Sequence, residues 1–118
     1  FGLSFAKGYL YNDAENFGIY RNIYVKNFTN NALTRNLKSI VLFTSTHVYS
    51  MNKGVAWTSN STYSSMSEKA GNYAVMASAT RGSGTVLAFG DLTFLMEPYS
   101  HVEDNYKLIL NLVSLITS

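Results

Sequence analysis

The amino-acid sequence predicts one α/β domain over residues 1–118, built as a mixed sheet with flanking helices. Several short segments rich in β-branched and aromatic residues are typical of strands. The final segment, residues 102–118, repeats apolar residues at helical spacing. Between them, residues 82–91 combine a glycine turn with an almost wholly apolar strand and an aspartate at its end. Strand ends of this kind are where α/β proteins usually place their ligands.

Four segments in the middle of the chain are predicted strands. The first two are residues 39–46 (SIVLFTST) and 54–59 (GVAWTS), and a polar run at residues 60–72 predicts a loop after them. Residues 73–80 (YAVMASAT) and 85–91 (TVLAFGD) follow, and the RGSG sequence between them is typical of a hairpin joining antiparallel strands. Because TVLAFG is nearly all apolar, we expect that strand to be covered on both faces.

The first third of the chain mixes glycine with aromatic residues. Partial alternation in residues 3–11 and 18–28 predicts half-exposed strands, and the NDAEN sequence at residues 12–16 predicts a turn between them. Residues 29–40 predict a short helix or turn, capped by Asn31 or by the asparagine before it.

The last element is predicted to be a helix that is apolar over most of its circumference. Such a helix must be buried or meet a partner, and we expect it to pack on the sheet. Acidic Glu103 and Asp104 are expected in its first turn, where the helix dipole favours them. Asn105 is expected to bond to the loop that precedes the helix. The residues at helical spacing are Val102, Tyr106, Ile109, Val113 and Ile116, and Leu108, Leu112 and Leu115 widen this stripe.

The composition indicates a folded domain with few surface charges. Hydrophobic residues make up 47% of the chain and aromatic residues 14%, which is enough for a packed core. Charged residues make up only 14%, against roughly 25% in an average globular domain. The polar surface must therefore come from the 36 Asn, Ser and Thr residues. Such a surface is weakly protected against self-association.

Charge and cysteine content exclude several classes of function. The net charge is only +2 and the nine Lys and Arg residues are scattered, so we expect no nucleic-acid partner. The chain has no cysteine, which excludes disulfides, thiolate metal sites and a cysteine nucleophile. We expect no metal and no cofactor, because the two histidines and Asp91 match no recognisable metal-ligand spacing.

Asp91 is the first candidate functional residue, because it ends a predicted strand. The structural interpretation, which we favour, is that its carboxylate accepts backbone N–H groups in the following turn. A catalytic aspartate needs a positioned partner, and His101 or His47 would supply one. A hydrolase that uses Asp91 with either histidine is therefore the first alternative. The candidate ligand rim consists of Asp91, Thr93, His101 and Asn105.

Two motifs that would indicate an enzyme are absent from the sequence. Gly82 and Gly84 precede a strand, whereas the glycines of a dinucleotide-binding loop follow a strand and open a helix. No serine lies in a G-x-S-x-G nucleophile elbow. The sequence therefore predicts a domain without enzymatic activity.

The aromatic residues leave a second alternative, a carbohydrate-binding module at the protein surface. Tyrosine and tryptophan rings provide flat apolar faces with a polar edge, although they are also common strand residues. A carbohydrate binder of this kind would present several exposed aromatic rings on one face. The rings concerned are those of Trp57, Tyr9, Tyr11, Tyr20 and Tyr24.

Two segments near the C-terminus, GSGTVLAFGDLTFL (residues 82–95) and DNYKLILNLVSLI (residues 104–116), resemble the closing part of glutamine-amidotransferase-like domains that lack a catalytic cysteine. The usual pattern of that family is G-x-G-x-V-V-V-x-G-D-S-D-F, a short loop, then D-N and an apolar helix. The chain departs from it at Leu92 and Thr93, where the family more often has Ser and Asp. The matching residues are Gly82, Gly84, Val86, Gly90, Asp91, Phe94, Asp104 and Asn105.

Two upstream segments, residues 4–12 (SFAKGYLYN) and 25–42 (VKNFTNNALTRNLKSIVL), are also similar to this family. The resemblance implies a flavodoxin-like or glutamine-amidotransferase-like fold. It implies a partial or reduced version, because the usual first β-α-β portion is not recognisable in this chain.

The family occurs in membrane proteins associated with ABC-type transport and gliding, so the resemblance also implies a function. It implies a non-catalytic binding or assembly domain of a membrane-anchored protein, lying outside the cytoplasm. The sequons at Asn27 and Asn60 agree with that location. Because the chain begins with Phe1, we expect a fragment of a larger protein, with its membrane segments outside this chain. A half-domain with open sheet edges predicts a protein partner, most simply a homodimer.

Overall fold

The computed structural model describes residues 3–49 and 53–117, which form mainly antiparallel β-sheet with one C-terminal α-helix. The strands of the described residues are β1 (Ser4–Phe5), β2 (Leu10–Tyr11), β3 (Asn22–Phe28), β4 (Ile40–Phe43), β5 (Val48–Tyr49), β6 (Gly54–Thr58), β7 (Tyr63–Ser64), β8 (Ala74–Arg81) and β9 (Gly84–Phe89). The helix α1 spans Asn105–Thr117. Short 3-10 helices span Ala32–Thr34, Thr93–Leu95 and Tyr99–His101.

The predicted α/β fold with a mixed sheet and flanking helices is wrong. The main sheet has five strands in the order β4-β3-β6-β8-β9, and every neighbouring pair is antiparallel. The two small sheets, β1-β5 and β2-β7, are antiparallel as well. A parallel pair needs a long crossover, usually an α-helix, whereas the one α-helix of the described residues follows the last strand. The architecture is therefore a curled antiparallel sheet and not a flavodoxin-like layer structure.

Several local predictions are confirmed. Residues 39–46 and 54–59 contain β4 and β6, and β8 and β9 form the predicted antiparallel hairpin. The turn of this hairpin has only two residues, because Arg81 pairs with Gly84. Gly82 has φ +61°, as the first central position of a type II′ turn requires.

Asparagine side chains form the turns that the sequence predicted in the first third of the chain. Asn12 Oδ1 accepts hydrogen bonds from Ala14 N at 3.0 Å and Glu15 N at 2.8 Å, which fixes the turn at residues 12–16. Asn31 caps the first 3-10 helix by accepting from Leu33 N at 2.8 Å.

The expectation that the strand TVLAFG is covered on both faces is wrong. Of the six β9 residues only Ala88 is buried, and Thr85 is exposed. The strand lies at one edge of the main sheet and pairs only with β8. Its larger apolar residues, Val86, Leu87 and Phe89, are half-buried because the rest of the fold does not fully cover its faces.

The main core lies where the curled sheet meets α1 and the loops around it. All four residues of β4 are buried, so this edge strand is covered on both faces. The buried core residues are Leu10, Ile23, Val25, Leu33, Ile40, Leu42, Val55, Ala56, Val75, Met76, Phe94 and Leu108.

Candidate functional site

Polar side chains from the C-terminal part of the chain close the outer edge of β4. This strand pairs with β3 on one side only, so alternate backbone N–H groups on its other side need partners. Asp91, Asp104 and Asn105 supply them, and we call these three residues the edge cap. The pairs are Phe43 N with Asp91 Oδ2 at 2.9 Å, Val41 N with Asn105 Oδ1 at 2.9 Å, and Ser39 N with Asp104 Oδ2 at 3.1 Å. The donors lie two residues apart, as expected of N–H groups on one side of a strand.

Asn105, the first residue of α1, is the fully buried centre of the edge cap. Besides accepting from Val41 N, it donates from Nδ2 to Val41 O and to Tyr99 O, both at 3.0 Å. The bond to Tyr99 joins the helix to the loop after Asp91, as the sequence suggested. The two bonds to Val41 extend the hydrogen bonding of β4 without another strand.

Both carboxylate oxygens of Asp91 are occupied by donors from the protein itself. Oδ2 accepts from Phe43 N, and Oδ1 accepts from Thr93 N at 3.1 Å and from Thr93 Oγ1 at 2.7 Å. Two of these three donors are backbone N–H groups. The carboxylate therefore shapes the turn into the second 3-10 helix and joins it to the edge of β4.

Next to Asp91, the backbone of Gly90 lies very close to the backbone of Thr46. Gly90 O accepts from Thr46 N at 3.0 Å, and Gly90 N donates to Val75 O at 2.7 Å. A Cβ atom at position 90 would lie 2.2 Å from Thr46 O and 2.4 Å from Ser45 Oγ. The curl that brings the end of β9 to the segment after β4 therefore requires glycine here.

Asp104 has a different role from the one predicted. It precedes α1 together with Glu103, which has φ +49°, so neither residue lies in the first helical turn. Partial burial acts to raise the pKa of Asp104. The backbone N–H groups of Lys38 and Ser39, helped by Lys107 with its Nζ at 3.6 Å, outweigh burial and lower this pKa below its usual value.

Asp91 and Thr93 line an open pocket of about 460 Å³ together with Asn22, Thr44 and Tyr99. No histidine lines this pocket. Of the four residues in the candidate ligand rim, the structure brings Asp91 and Thr93 into direct contact and buries Asn105 behind the loop.

The two histidines lie in different places. The side chain of His101 is 63% exposed, its ring stacks on Tyr106 with centroids 5.6 Å apart, and its Nε2 lies 3.7 Å from the Glu97 carboxylate. His47 lines a separate pocket with Tyr49. The pairing with Asp91 on which the hydrolase alternative depends is therefore not formed by either residue.

The aromatic residues considered for sugar stacking form more than one group. Trp57 packs over the backbone of its own strand, since a Cβ atom on Gly54 would lie 2.6 Å from its ring. Tyr24 contacts Phe17. Tyr9, Tyr11 and Tyr20 cluster with Tyr63, which stacks on Tyr11 at 5.7 Å.

Within this cluster, the Tyr11 hydroxyl donates to Glu68 Oε2 at 2.6 Å. That hydrogen bond, with partial desolvation, raises the pKa of Tyr11 to about 12. The phenol is thus held in its protonated form, and its O–H is already paired with a protein carboxylate. The ring contributes mainly to packing.

The helix α1 packs through one face only. Asn105 and Leu108 are its buried residues, and Ile109 and Leu112 pack partly against the core. The expected packing on the sheet therefore accounts for only part of its apolar surface. Its four most exposed apolar residues are Tyr106 (50%), Leu110 (52%), Val113 (50%) and Ile116 (72%), which we call the α1 apolar face.

Among residues 3–49 and 53–117, no group of three His, Asp or Glu side chains is arranged to hold a metal ion. No helix in the described part of the chain is both long enough and apolar enough to span a membrane. Comparison of the chain with protein-family models, with curated proteins and with solved structures finds no match in any of the three.

Proposed function

We propose that this domain is a non-catalytic assembly module that pairs with a second copy of itself through the α1 apolar face. The observation that carries the proposal is that the four large side chains of the α1 apolar face are each half exposed or more. Contiguous apolar patches of this kind usually mark interaction sites on soluble domains. The three hydrogen bonds to Asp91 support the non-catalytic part of the proposal, because they occupy the carboxylate that a hydrolase would use.

The spacing of the exposed residues supports a helix–helix contact. Tyr106, Leu110, Val113 and Ile116 follow one another at intervals of four, three and three residues, so their side chains form one stripe along α1. Stripes with this spacing pack against a second helix as ridges into grooves. Covering the half of each side chain that is now exposed would contribute on the order of 1 kcal/mol per residue.

The low charge of the helix favours a second copy as the partner. Lys107 is the one charged residue of α1, and its Nζ lies 3.6 Å from Asp104 Oδ1. Two copies can therefore bring these stripes together without like-charge repulsion, and a two-fold axis places identical patches opposite each other. The sequence also predicts a dimer formed by pairing of open sheet edges. Two copies cannot pair in this way along the outer edge of β4, because the edge cap already binds the N–H groups there.

The association with ABC-type transport is not part of this proposal. It came from a resemblance that implied a flavodoxin-like fold, and the sheet is antiparallel instead. A location outside the cytoplasm stays a prediction from the sequence, as does a connection to membrane segments elsewhere in a longer protein.

Sedimentation equilibrium of the wild-type domain and of Val113→Glu tests the proposal. We expect the wild type to approach twice the monomer mass as its concentration rises. Val113→Glu should weaken association at least about tenfold, because a charge at the centre of an apolar interface is costly to bury. Ile19→Glu is the matched control, since Ile19 is 51% exposed, close to the 50% of Val113, but lies outside α1.

The control variant should associate like the wild type. A wild-type domain that stays monomeric at the highest concentrations reached would contradict the proposal. So would equal association of all three proteins.

A further inference from the structure

A pocket of about 530 Å³ surrounds His47, between β5 and the segments that follow β1 and β7. Its volume lies in the range of pockets that bind small molecules. Its lining combines aromatic and other apolar side chains with the polar groups of serine, histidine and lysine. The lining includes Phe5, Lys7, His47, Tyr49, Ser67 and Tyr73.

The imidazole of His47 stands between two tyrosine rings. Its centroid lies 4.7 Å from that of Tyr49 and 4.9 Å from that of Tyr73. Neither imidazole nitrogen is hydrogen-bonded to another residue in the described part of the chain. Partial burial lowers the pKa of His47, so at neutral pH one nitrogen donates and the other accepts. Both remain available to a ligand.

Two tyrosine rings beside His47 provide apolar surface in this pocket. Tyr49 is 53% exposed, while Tyr73 is fixed by donating its hydroxyl hydrogen to Lys69 O. Phe5 also lines the pocket, but it pairs with Val48 and so lies on the opposite face of the β1-β5 ribbon from Tyr49. Ser67 Oγ lies 3.5 Å from the Tyr73 hydroxyl. Lys7 lines the pocket and forms no ion pair with any described residue.

We propose that this pocket binds a pyranose sugar and prefers one that carries a carboxylate. A sugar ring presents a C–H face that packs on Tyr49, and hydroxyl groups that both donate and accept. Those hydroxyls match the neutral imidazole of His47, which can pair with them in either direction, and Ser67 Oγ, which can accept from them. The ammonium group of Lys7 then supplies the attraction for a carboxylate on the ring.

NMR titration of the domain with methyl glucuronide and methyl glucoside tests this site. We expect both glycosides to shift the His47 and Tyr73 signals saturably, with the glucuronide binding about threefold to fivefold more tightly, as an exposed charge pair allows. Lys7→Met should remove that difference and leave glucoside binding unchanged. Benzoate is the control ligand, because it is a flat aromatic carboxylate without the hydroxyl groups of a sugar.

Variants separate binding in the pocket from general effects on the fold. Tyr49→Ala should weaken binding of both glycosides at least about fivefold, because it removes the stacking face. His101→Ala is the control, since His101 is exposed and does not line the pocket. Unfolding curves of both variants verify that they are folded.

Three results would overturn the proposal. One is the absence of any His47 shift with either glycoside, and another is a larger shift with benzoate than with the glucuronide. The third is wild-type glucuronide affinity in a folded Tyr49→Ala variant.

Discussion

Replacing Asn105 with alanine should lower the free energy of unfolding by about 3 to 5 kcal/mol. The substitution removes three hydrogen bonds and leaves the N–H and C=O of buried Val41 and the C=O of Tyr99 without their partners. Each buried polar group that loses its partner costs about 1 to 3 kcal/mol. Urea denaturation measures the change.

Asn111→Ala is the matched control on the same helix. Asn111 is only half-buried, and its Nδ2 donates to Leu33 O and Arg35 O, both at 2.9 Å. Because water can reach this site, we expect a loss of only about 1 kcal/mol. Equal effects of the two substitutions would show that Asn105 does not hold the β4 edge in the way its hydrogen bonds indicate.

Replacing Gly90 with alanine should destabilise the domain by about 2 to 4 kcal/mol. The added Cβ would lie 2.2 Å from Thr46 O, a backbone atom that cannot rotate away. This clash is relieved only if the end of β9 moves away from the segment after β4. That movement lengthens the hydrogen bond from Thr46 N to Gly90 O. Thermal and urea unfolding measure the loss.

Gly71→Ala is the control for the change in the conformational entropy of the unfolded chain that any Gly→Ala substitution causes. At this position a Cβ would meet only the ring of Tyr73, at 3.7 Å, which is ordinary contact. We therefore expect a change between zero and a stabilisation of about 1 kcal/mol. If Gly90→Ala unfolded at the same urea concentration as Gly71→Ala, the close approach at position 90 would be refuted.

Features encoded by neighbouring residues could be predicted from the sequence. The glycine turn at Gly82 predicts the β8-β9 hairpin, and Asn31 predicts the cap of the first 3-10 helix. The pairing of β3 with both β4 and β6 depends on residues far apart in the chain, for which a single sequence carries no local signal. The prediction of a mixed sheet rests on Asp91 at a strand end and on a family resemblance, and neither specifies strand direction.

The edge cap also combines contacts between neighbouring residues, which the sequence can predict, with contacts between distant residues, which it cannot. The sequence suggested that Asp91 accepts backbone N–H groups, and one of its donors, Thr93, is local. The other, Phe43, lies 48 residues away. The sequence predicts Asp104 in the first helical turn, because its position along the chain suits the helix dipole. Its contacts with Lys38 and Ser39 depend on the tertiary fold.

The pocket at His47 could not be predicted from the sequence either. The sequence presents His47 only as a possible partner of Asp91 or, with His101, as a possible metal ligand, because it follows one predicted strand and Asp91 ends another. Its tyrosine neighbours, Tyr49 and Tyr73, come from different strands and loops. An aromatic residue two positions after a histidine was a weak local signal, which so many tyrosines in one chain made hard to recognise.

Hydrogen exchange at the amides of Val41 and Phe43 tests most directly whether Asp91 and Asn105 serve the fold. If the edge cap holds, both amides exchange as slowly in the wild type as amides in the middle of the sheet. Asp91→Ala should then accelerate exchange at Phe43 while Val41, bonded to Asn105, stays protected. Rapid exchange at both amides in the wild type, typical of an open strand edge, would contradict a structural role for Asp91 and return its carboxylate to the list of groups free for chemistry.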